Sequence, residues 1–300
     1  MEHGLEKILL CPVCEGESHK KHIEGKDHNV TGNVFNIAEC LSCGFRYTNP
    51  RPKEKHIYKY YQSKNYISHS STKKGLINKI YHLVRSYQFY KKKEVIQISS
   101  NMKKGKILDI GCGTGDFLKY MDTSGWETDG VETDEGAKIV AEKKLGKKIK
   151  EKLEHIEGES KYDVISMWHV LEHVYDVKDY LKKVNKLLKK NGVLVIGVPN
   201  CASYDAKKYK GNWVAYDLPI HLSHFRKKNI EELAKKSSFK VNDIKPLIFD
   251  AYYIGMLSAK KSGSSIFLGL IHGLISNLKA KKSGEYSSLI YFLFKQDLRR

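Results

Sequence analysis

Between about residues 104 and 249 the chain alternates two hydrophobic rhythms. Short apolar runs at Lys106–Ile110, Thr128–Glu132, Lys147–Lys152, Tyr162–Trp168, Val193–Val198 and Phe239–Phe249 read as strands. The segments between them repeat apolar residues every three or four positions, as crossover helices do. The clearest of these is Val177–Lys190, where Val177, Tyr180, Leu181, Val184, Leu187 and Leu188 fall on one face. Asp176 is placed to cap its start and Gly192 lies just past its end. Strands alternating with helices predict an α/β fold built on a doubly wound, mostly parallel sheet. With Ser288–Lys295 as a closing strand, that sheet has seven strands.

The flanks follow other patterns. Tyr58, Tyr60, Tyr61 and Tyr66 mark an aromatic-rich helical stretch, and Ile77, Ile80, Tyr81, Val84, Tyr87 and Tyr90–Val95 mark a second one over about 75–99. Together they predict a helical cap over 51–103, between a small module at 1–50 and the core at 104–250. Residues 251–300 are apolar with islands of lysine. Ser262–Leu278 carries no charge and is apolar nearly all round, so it is either buried or in contact with lipid. Burial between strands is the expectation. Peripheral membrane contact, flanked by Lys260-Lys261 and Lys279–Lys282, is the alternative.

Charge adds little to the choice of function. The net charge of +19 suggests an anionic partner such as nucleic acid, a phosphate-bearing small substrate or a membrane surface. However, the excess is mostly lysine spread over predicted helices after residue 70, and arginine is scarce. A solvated lysine-rich surface fits that better than a dedicated nucleic-acid face. The first residues lack a basic, apolar export signal, so the expected location is cytoplasmic.

Cysteine changes the picture more. Cys11, Cys14, Cys40 and Cys43 form two C-x-x-C pairs separated by 25 residues too polar to build a core. Four thiolates around a structural Zn²⁺ would hold such a segment, and would leave no open position for catalysis. Cys112 and Cys201 stand alone.

The candidate chemistry sits at Leu108-Asp109-Ile110-Gly111-Cys112-Gly113-Thr114-Gly115-Asp116-Phe117, a strand running into a glycine-rich turn and a helix. Glu132 ends the next strand, 17 residues after Gly115, where a carboxylate can accept both hydroxyls of a ribose. Dinucleotide sites favour the longer G-x-G-x-x-G spacing. The tighter spacing beside Asp109 suits a phosphate-free cofactor that ends in an ammonium.

The turn resembles motif I of the class I S-adenosylmethionine-dependent methyltransferases, whose core is Rossmann-like. Tyr162–Val174 resembles the fourth-strand motif of that family. Leu187–Leu194 followed by Val198-Pro199-Asn200 is similar to its fifth-strand pattern. Trp213 and Pro219-Ile220-His221-Leu222-Ser223-His224-Phe225 resemble a branch found with glycan and sugar pathways, and the cysteine pairs resemble the zinc module of bacterial sugar C-methyltransferases. Glu172-His173 is similar to the metal-binding pair of quinone-biosynthesis O-methyltransferases, with His169 where those carry Glu.

The resemblance implies an S-adenosylmethionine site made by Asp109, Gly111, Cys112, Gly113, Gly115, Glu132, Leu153 and Trp168, with Glu154 beside Leu153. It also implies acid–base or acceptor-orienting roles among His169, Glu172, His173, His221 and His224, above the carboxyl ends of the strands. The expected reaction is O- or C-methylation of a small-molecule or sugar-type acceptor. The alternative is a nucleic-acid methyltransferase or an RNA-binding module using the lysine surface and ribbon. No Asn/Asp-Pro-Pro-aromatic motif follows the fourth strand, where Trp168-His169-Val170-Leu171 stands instead.

Overall fold

A computed structural model describes residues 4–61 and 76–296, with side chains from Ser86 onward in the helix that opens at Leu76. Tyr66 and the side chains of Ile77, Ile80, Tyr81 and Val84 lie outside the described residues. The chain begins with β1 (Leu5–Glu6), β2 (His19–Lys26), β3 (Val34–Cys40), β4 (Arg46–Thr48) and β5 (Arg51–Pro52), then the long helix α1 (Leu76–Ser100). The alternating part is β6 (Lys106–Ile110), α2 (Asp116–Thr123), β7 (Glu127–Val131), α3 (Glu135–Leu145), β8 (Tyr162–Trp168), α4 (Val177–Leu187) and β9 (Leu188–Pro199). It continues through α5 (Tyr204–Tyr209), β10 (Ser223–His224), α6 (Lys227–Lys236) and β11 (Phe239–Pro246). Helices α7 (Asp250–Lys261) and α8 (Ile266–Ser283) and strand β12 (Ser288–Lys295) close the fold.

The central sheet has the order β11-β12-β9-β8-β6-β7. Strands β7, β6, β8 and β9 run parallel, and β12 is inserted antiparallel between β9 and β11. Ile107, Leu108, Val164, Ile165, Val193, Val195 and Ile196 are fully buried, as expected of strands covered by helices on both faces.

The expected seventh strand, Lys147–Lys152, is the main departure. Only an isolated bridge forms there, between Val131 and Lys150, so the sheet has six strands among the described residues. Within Lys147–Lys152 only Ile149 is apolar, so one residue is all it can bury. Helix α4 also ends three residues earlier than its periodicity suggested, because Leu188 already pairs with Tyr162 in the sheet.

The cysteine module is sewn to the core. Strand β10, from late in the chain, joins the antiparallel sheet β10-β4-β3-β2. The Thr48 hydroxyl donates to the His221 carbonyl at 2.6 Å, and Cys11, Val13, Phe45 and Tyr47 share one apolar cluster with Leu108 and Ile165. Helix α1 packs Ile96 beside Phe117, Met121 and Trp126.

The run Ser262–Leu278 is not buried between strands. Its helix α8 lies against α7 through backbone: a Cβ on Gly255 would stand 2.4 Å from the Gly269 carbonyl oxygen. Among the described residues no helix is long and apolar enough to cross a membrane.

Candidate active site

Strand β6 delivers Asp109 and the glycine turn to the carboxyl edge of the sheet. Gly111, Gly113 and Gly115 all have φ between +56° and +73°, backbone that side chains rarely adopt. Their surroundings differ. A Cβ on Gly111 would stand 2.4 Å from Val170 Cγ2, whereas one on Gly113 would meet nothing within 4 Å. The first glycine is therefore required by packing, while the second faces open space. The turn is pinned to the end of β7, where the amides of Gly111 and Cys112 donate to the Val131 carbonyl at 2.8 and 3.0 Å.

The Glu132 carboxylate is fixed by two amides, Gly113 N–H at 2.7 Å and Asp134 N–H at 2.8 Å. A carboxylate has about four lone-pair positions, so two remain for a ribose diol. Asp109 is buried and accepts from the Ser166 hydroxyl at 2.5 Å. Burial pushes its carboxyl up to about 7, against the Ser166 hydrogen bond and the charge of Lys92.

Over Asp109 and the first two glycines lies a cavity of about 570 Å³, whose wall stops short of Gly115 and of the Glu132 carboxylate held on the Gly113 amide. Asp109, Gly111, Cys112, Gly113, Asp116 and Phe117 line one side and Trp168, from the end of β8, another. Helix α1 adds Phe89 and Lys92, and α7 adds Asp250, Tyr252, Tyr253 and Met256. A second cavity, about 390 Å³, shares Lys92, Trp168, Phe249 and Asp250 with the first and extends past His169, Tyr87, Leu247 and Ile290.

Lys92 stands at the junction, its Nζ 4.2 Å from the Trp168 ring centroid. Burial lowers it to about 8, with Asp109 and Asp250 pulling the other way. His169 follows β8 with φ +57°, a strained position of the kind that clusters at functional sites. Its Nε2 is 3.1 Å from Asp250 Oδ2 and its Nδ1 3.4 Å from Glu172 Oε1. Burial would lower this ring, but the two carboxylates outweigh it and push it up to about 10.

The other candidate bases lie elsewhere. The turn Leu171–His173 folds back, so that Glu172, His173 and His221 form a cluster whose ligand-type atoms all lie within 4.8 Å of one another. Neither Glu172 oxygen receives a well-aligned hydrogen bond among the described residues. His173 Nδ1 is 3.1 Å from the Ile220 carbonyl oxygen and His221 Nδ1 is 2.9 Å from that of Ala215. Burial, then the neighbouring His221, lowers His173 to about 4, and burial lowers His221 as well. His224 is buried on β10, 3.1 Å from the Thr48 hydroxyl, facing the N-terminal sheet. Leu153 is buried and does not line either cavity, and Glu154 pairs with Lys183 at 3.0 Å on the surface.

Sequence reasoning missed Lys92 and Asp250. Lys92 did carry a signal: it falls three residues after Phe89 and four before Ile96, on the apolar stripe of α1. Asp250, beyond an apolar strand, carried none beyond opening a helix.

The cleft fits a phosphate-free adenosyl sulfonium. Asp109 and Asp250 act on the one lysine that lines it, Asp116 is taken up by Lys144 at 2.6 Å, aromatic rings form the walls, and the space beside Gly113 is open. The four cysteines fit zinc. Their Sγ atoms pair at 3.7 Å (Cys11–Cys43) and 3.5 Å (Cys14–Cys40), close to the ~3.8 Å edge of a tetrahedron with ~2.3 Å Zn–S bonds. The amides of Gly16 and Phe45 point at Cys14 and Cys43 at 3.4 Å each, as in thiolate knuckles.

The chain is similar to known methyltransferases in sequence and in fold. Residues 84–243 match the family described as Methyltransferase domain. The ubiquinone biosynthesis O-methyltransferase of Pelagibacter ubique (strain HTCC1062) is 28% identical over 162 residues, covering 50% of this chain and 67% of that protein. Its namesake from Rickettsia bellii (strain OSU 85-389) is 22% identical over 200 residues, covering 61% and 82%. Among solved structures, geranyl diphosphate C-methyltransferase from Streptomyces coelicolor A3(2) superposes with TM-score 0.53 at 14% identity, over 76% of this chain and 86% of that one. Magnesium protoporphyrin IX methyltransferase from Synechocystis PCC 6803 with bound SAH gives 0.50 at 12%, over 76% and 90%. At such identities these two share the fold alone. With the matched family spanning just over half of its length, the chain belongs to the class I S-adenosylmethionine-dependent methyltransferases.

Proposed function

We propose that this enzyme methylates a hydroxyl group of a small molecule, with the cofactor in the 570 Å³ cavity and the acceptor in the 390 Å³ cavity beside it. The observation that carries this reading is the shared wall of Lys92, Trp168 and Asp250, which brings the two bound molecules together at one place. The naming of the relatives as O-methyltransferases supports oxygen as the methylated atom. S-adenosylmethionine, when bound, supplies a methyl group already activated on a sulfonium.

The chain's own residues must then orient the acceptor and take its proton. Gly111, Cys112 and Gly113 form the cofactor's bed, Glu132 holds its ribose hydroxyls and Asp109 faces its ammonium. His169, its two ring nitrogens turned to Asp250 and Glu172, borders the acceptor cavity and packs its ring against the bound acceptor. Lys92, a buried amine lowered to about 8, has a neutral fraction that grows as pH rises toward 8, and that free amine accepts the hydroxyl proton. The resulting ammonium rests over the Trp168 face. Glu172, His173 and His221 act behind His169, holding its loop against the segment after β9. Lys91 and Lys245 also border the acceptor cavity but are paired with Glu94 at 2.7 Å and Asp243 at 3.0 Å. The proposal therefore asks for no phosphate on the acceptor. A structural Zn²⁺ on Cys11, Cys14, Cys40 and Cys43 completes the reading.

The test is transfer of a labelled methyl group to a panel of phenols, catechols and sugars. Lys92→Met is expected to lower turnover by about 10²-fold or more and to remove the rise in rate through about pH 8. His169→Gln should leave cofactor affinity unchanged and raise the acceptor KM. No transfer to any hydroxyl, with transfer to an amine or carbon instead, would displace this reading.

A further inference from the structure

Helix α8 is inside out for a protein surrounded by water. The face it turns to the protein carries Gly269, Gly273, Ser276, Asn277 and Ala280, all buried. The face it turns outward carries Phe267, Leu268, Leu270, Ile271, Leu274 and Leu278, each between 37% and 69% exposed. Water should drive the opposite arrangement. The small residues let α8 lie directly on α7: a Cβ on Gly273 would stand 2.6 Å from the Ala251 carbonyl oxygen, and one on Gly269 2.5 Å from that of Gly255. Close packing through small residues, with large apolar ones facing away, is how helices associate in lipid.

Charge says what covers this face. Between Ala251 and Gly284 there is no aspartate or glutamate, and four exposed lysines stand at the two ends of the hairpin, Lys260 at one and Lys279, Lys281 and Lys282 at the other, while Lys261 is partly buried toward Asp217 and Asp27. The nearest acid in sequence before it, Asp250, is turned inward to His169. An apolar strip bounded by lysines matches an anionic lipid surface, whose acyl region takes the leucines while its headgroups take the ammonium groups. On such a surface the 18-residue helix would lie flat, since no helix among the described residues is long and apolar enough to span one.

We propose that the α7–α8 hairpin docks on an anionic lipid surface, and that the acceptor arrives from that surface carrying an apolar tail. The second half rests on the two-cavity reading above. It is supported by α7 itself, which bears α8 on one side and contributes Asp250, Tyr252 and Tyr253 to the cofactor cavity. The exposed Ile248 and Phe249, just before α7, border the acceptor cavity.

Sedimentation of the full chain with phosphatidylcholine vesicles, with and without phosphatidylglycerol, tests the docking. The wild type should bind only the anionic vesicles. Leu270→Ser/Leu274→Ser should weaken partitioning by about tenfold per residue, and Lys279→Gln/Lys281→Gln/Lys282→Gln by about fivefold per lysine. Both leave the cleft untouched, so calorimetry with S-adenosylhomocysteine should not change. Absence of wild-type binding to anionic vesicles overturns the proposal. So does a chain that dimerises through this face, loses the dimer in Leu270→Ser/Leu274→Ser and ignores lipid. For the acceptor, a long-chain alkylphenol in anionic vesicles should be methylated faster than the untailed phenol, and the double-serine variant should erase the difference. Equal rates for the two phenols in the wild type remove the tail while leaving the docking standing. Vesicle binding without any S-adenosylhomocysteine binding would instead fault the methyltransferase reading.

Discussion

Replacing Gly113 and Gly111 by alanine, one at a time, separates the two jobs the glycine turn performs. Each alanine must adopt positive φ, at about 1–2 kcal/mol. At Gly113 that is the whole structural cost, since the new methyl meets nothing within 4 Å. At Gly111 the methyl would stand 2.4 Å from Val170 Cγ2, roughly 1 Å inside ordinary carbon contact, which adds about 1–3 kcal/mol of overpacking. Gly113→Ala is therefore expected to lower Tm by only a few degrees, and Gly111→Ala by clearly more, at roughly 2–4 °C per kcal/mol. Cofactor affinity should rank the other way for their stability loss. The open space beside Gly113 is the bed proposed for the cofactor, so its alanine should weaken S-adenosylhomocysteine by roughly 10- to 100-fold. Differential scanning fluorimetry and calorimetry on the two variants read both numbers. A Gly113→Ala protein that binds the cofactor like the wild type would refute the placement, whatever its Tm.

Purified protein should carry about one zinc per chain, and Cys11→Ser or Cys40→Ser should lose it together with several degrees of Tm, read by metal analysis and melting. Cofactor affinity should rise about tenfold from pH 6 to pH 8 as Asp109 ionises around 7, and Asp109→Asn should flatten that rise in calorimetry. The same carboxyl sets a stability trend of known sign. Its folded-state value is raised above the ordinary 3.8, so its stabilising contribution is full below about 4 and is lost as pH climbs to about 7. Denaturant melts should accordingly show Asp109→Asn gaining on the wild type across that window, and no gain would contradict the buried, up-shifted carboxyl.

Much of the fold was legible because the core strands are buried on both faces. Lys106–Ile110, Tyr162–Trp168 and Ser288–Lys295 form strands over the residues their apolar runs mark. Lys147–Lys152 misled because β-like spacing at a sheet edge means little when only Ile149 has surface to bury. Helix α8 shows the opposite limit: hydrophobicity all round says that a helix avoids water, and not which side meets the protein. At the site, the sequence could place His169, Glu172 and His173 together above the sheet. It could not tell that positive φ turns His169 toward the cavities while the next turn carries the other two behind it. Lys92 was hidden within Lys91-Lys92-Lys93, and only the register of α1 singles it out.

A crystal structure of the protein soaked with S-adenosylhomocysteine tests the central claim most directly. The account requires the adenosyl group over Gly111–Gly113, its ribose hydroxyls on Glu132 and its sulfur near Trp168 and Lys92. Density for the nucleoside anywhere else, with the Glu132 carboxylate making only its amide bonds to Gly113 and Asp134, would contradict it.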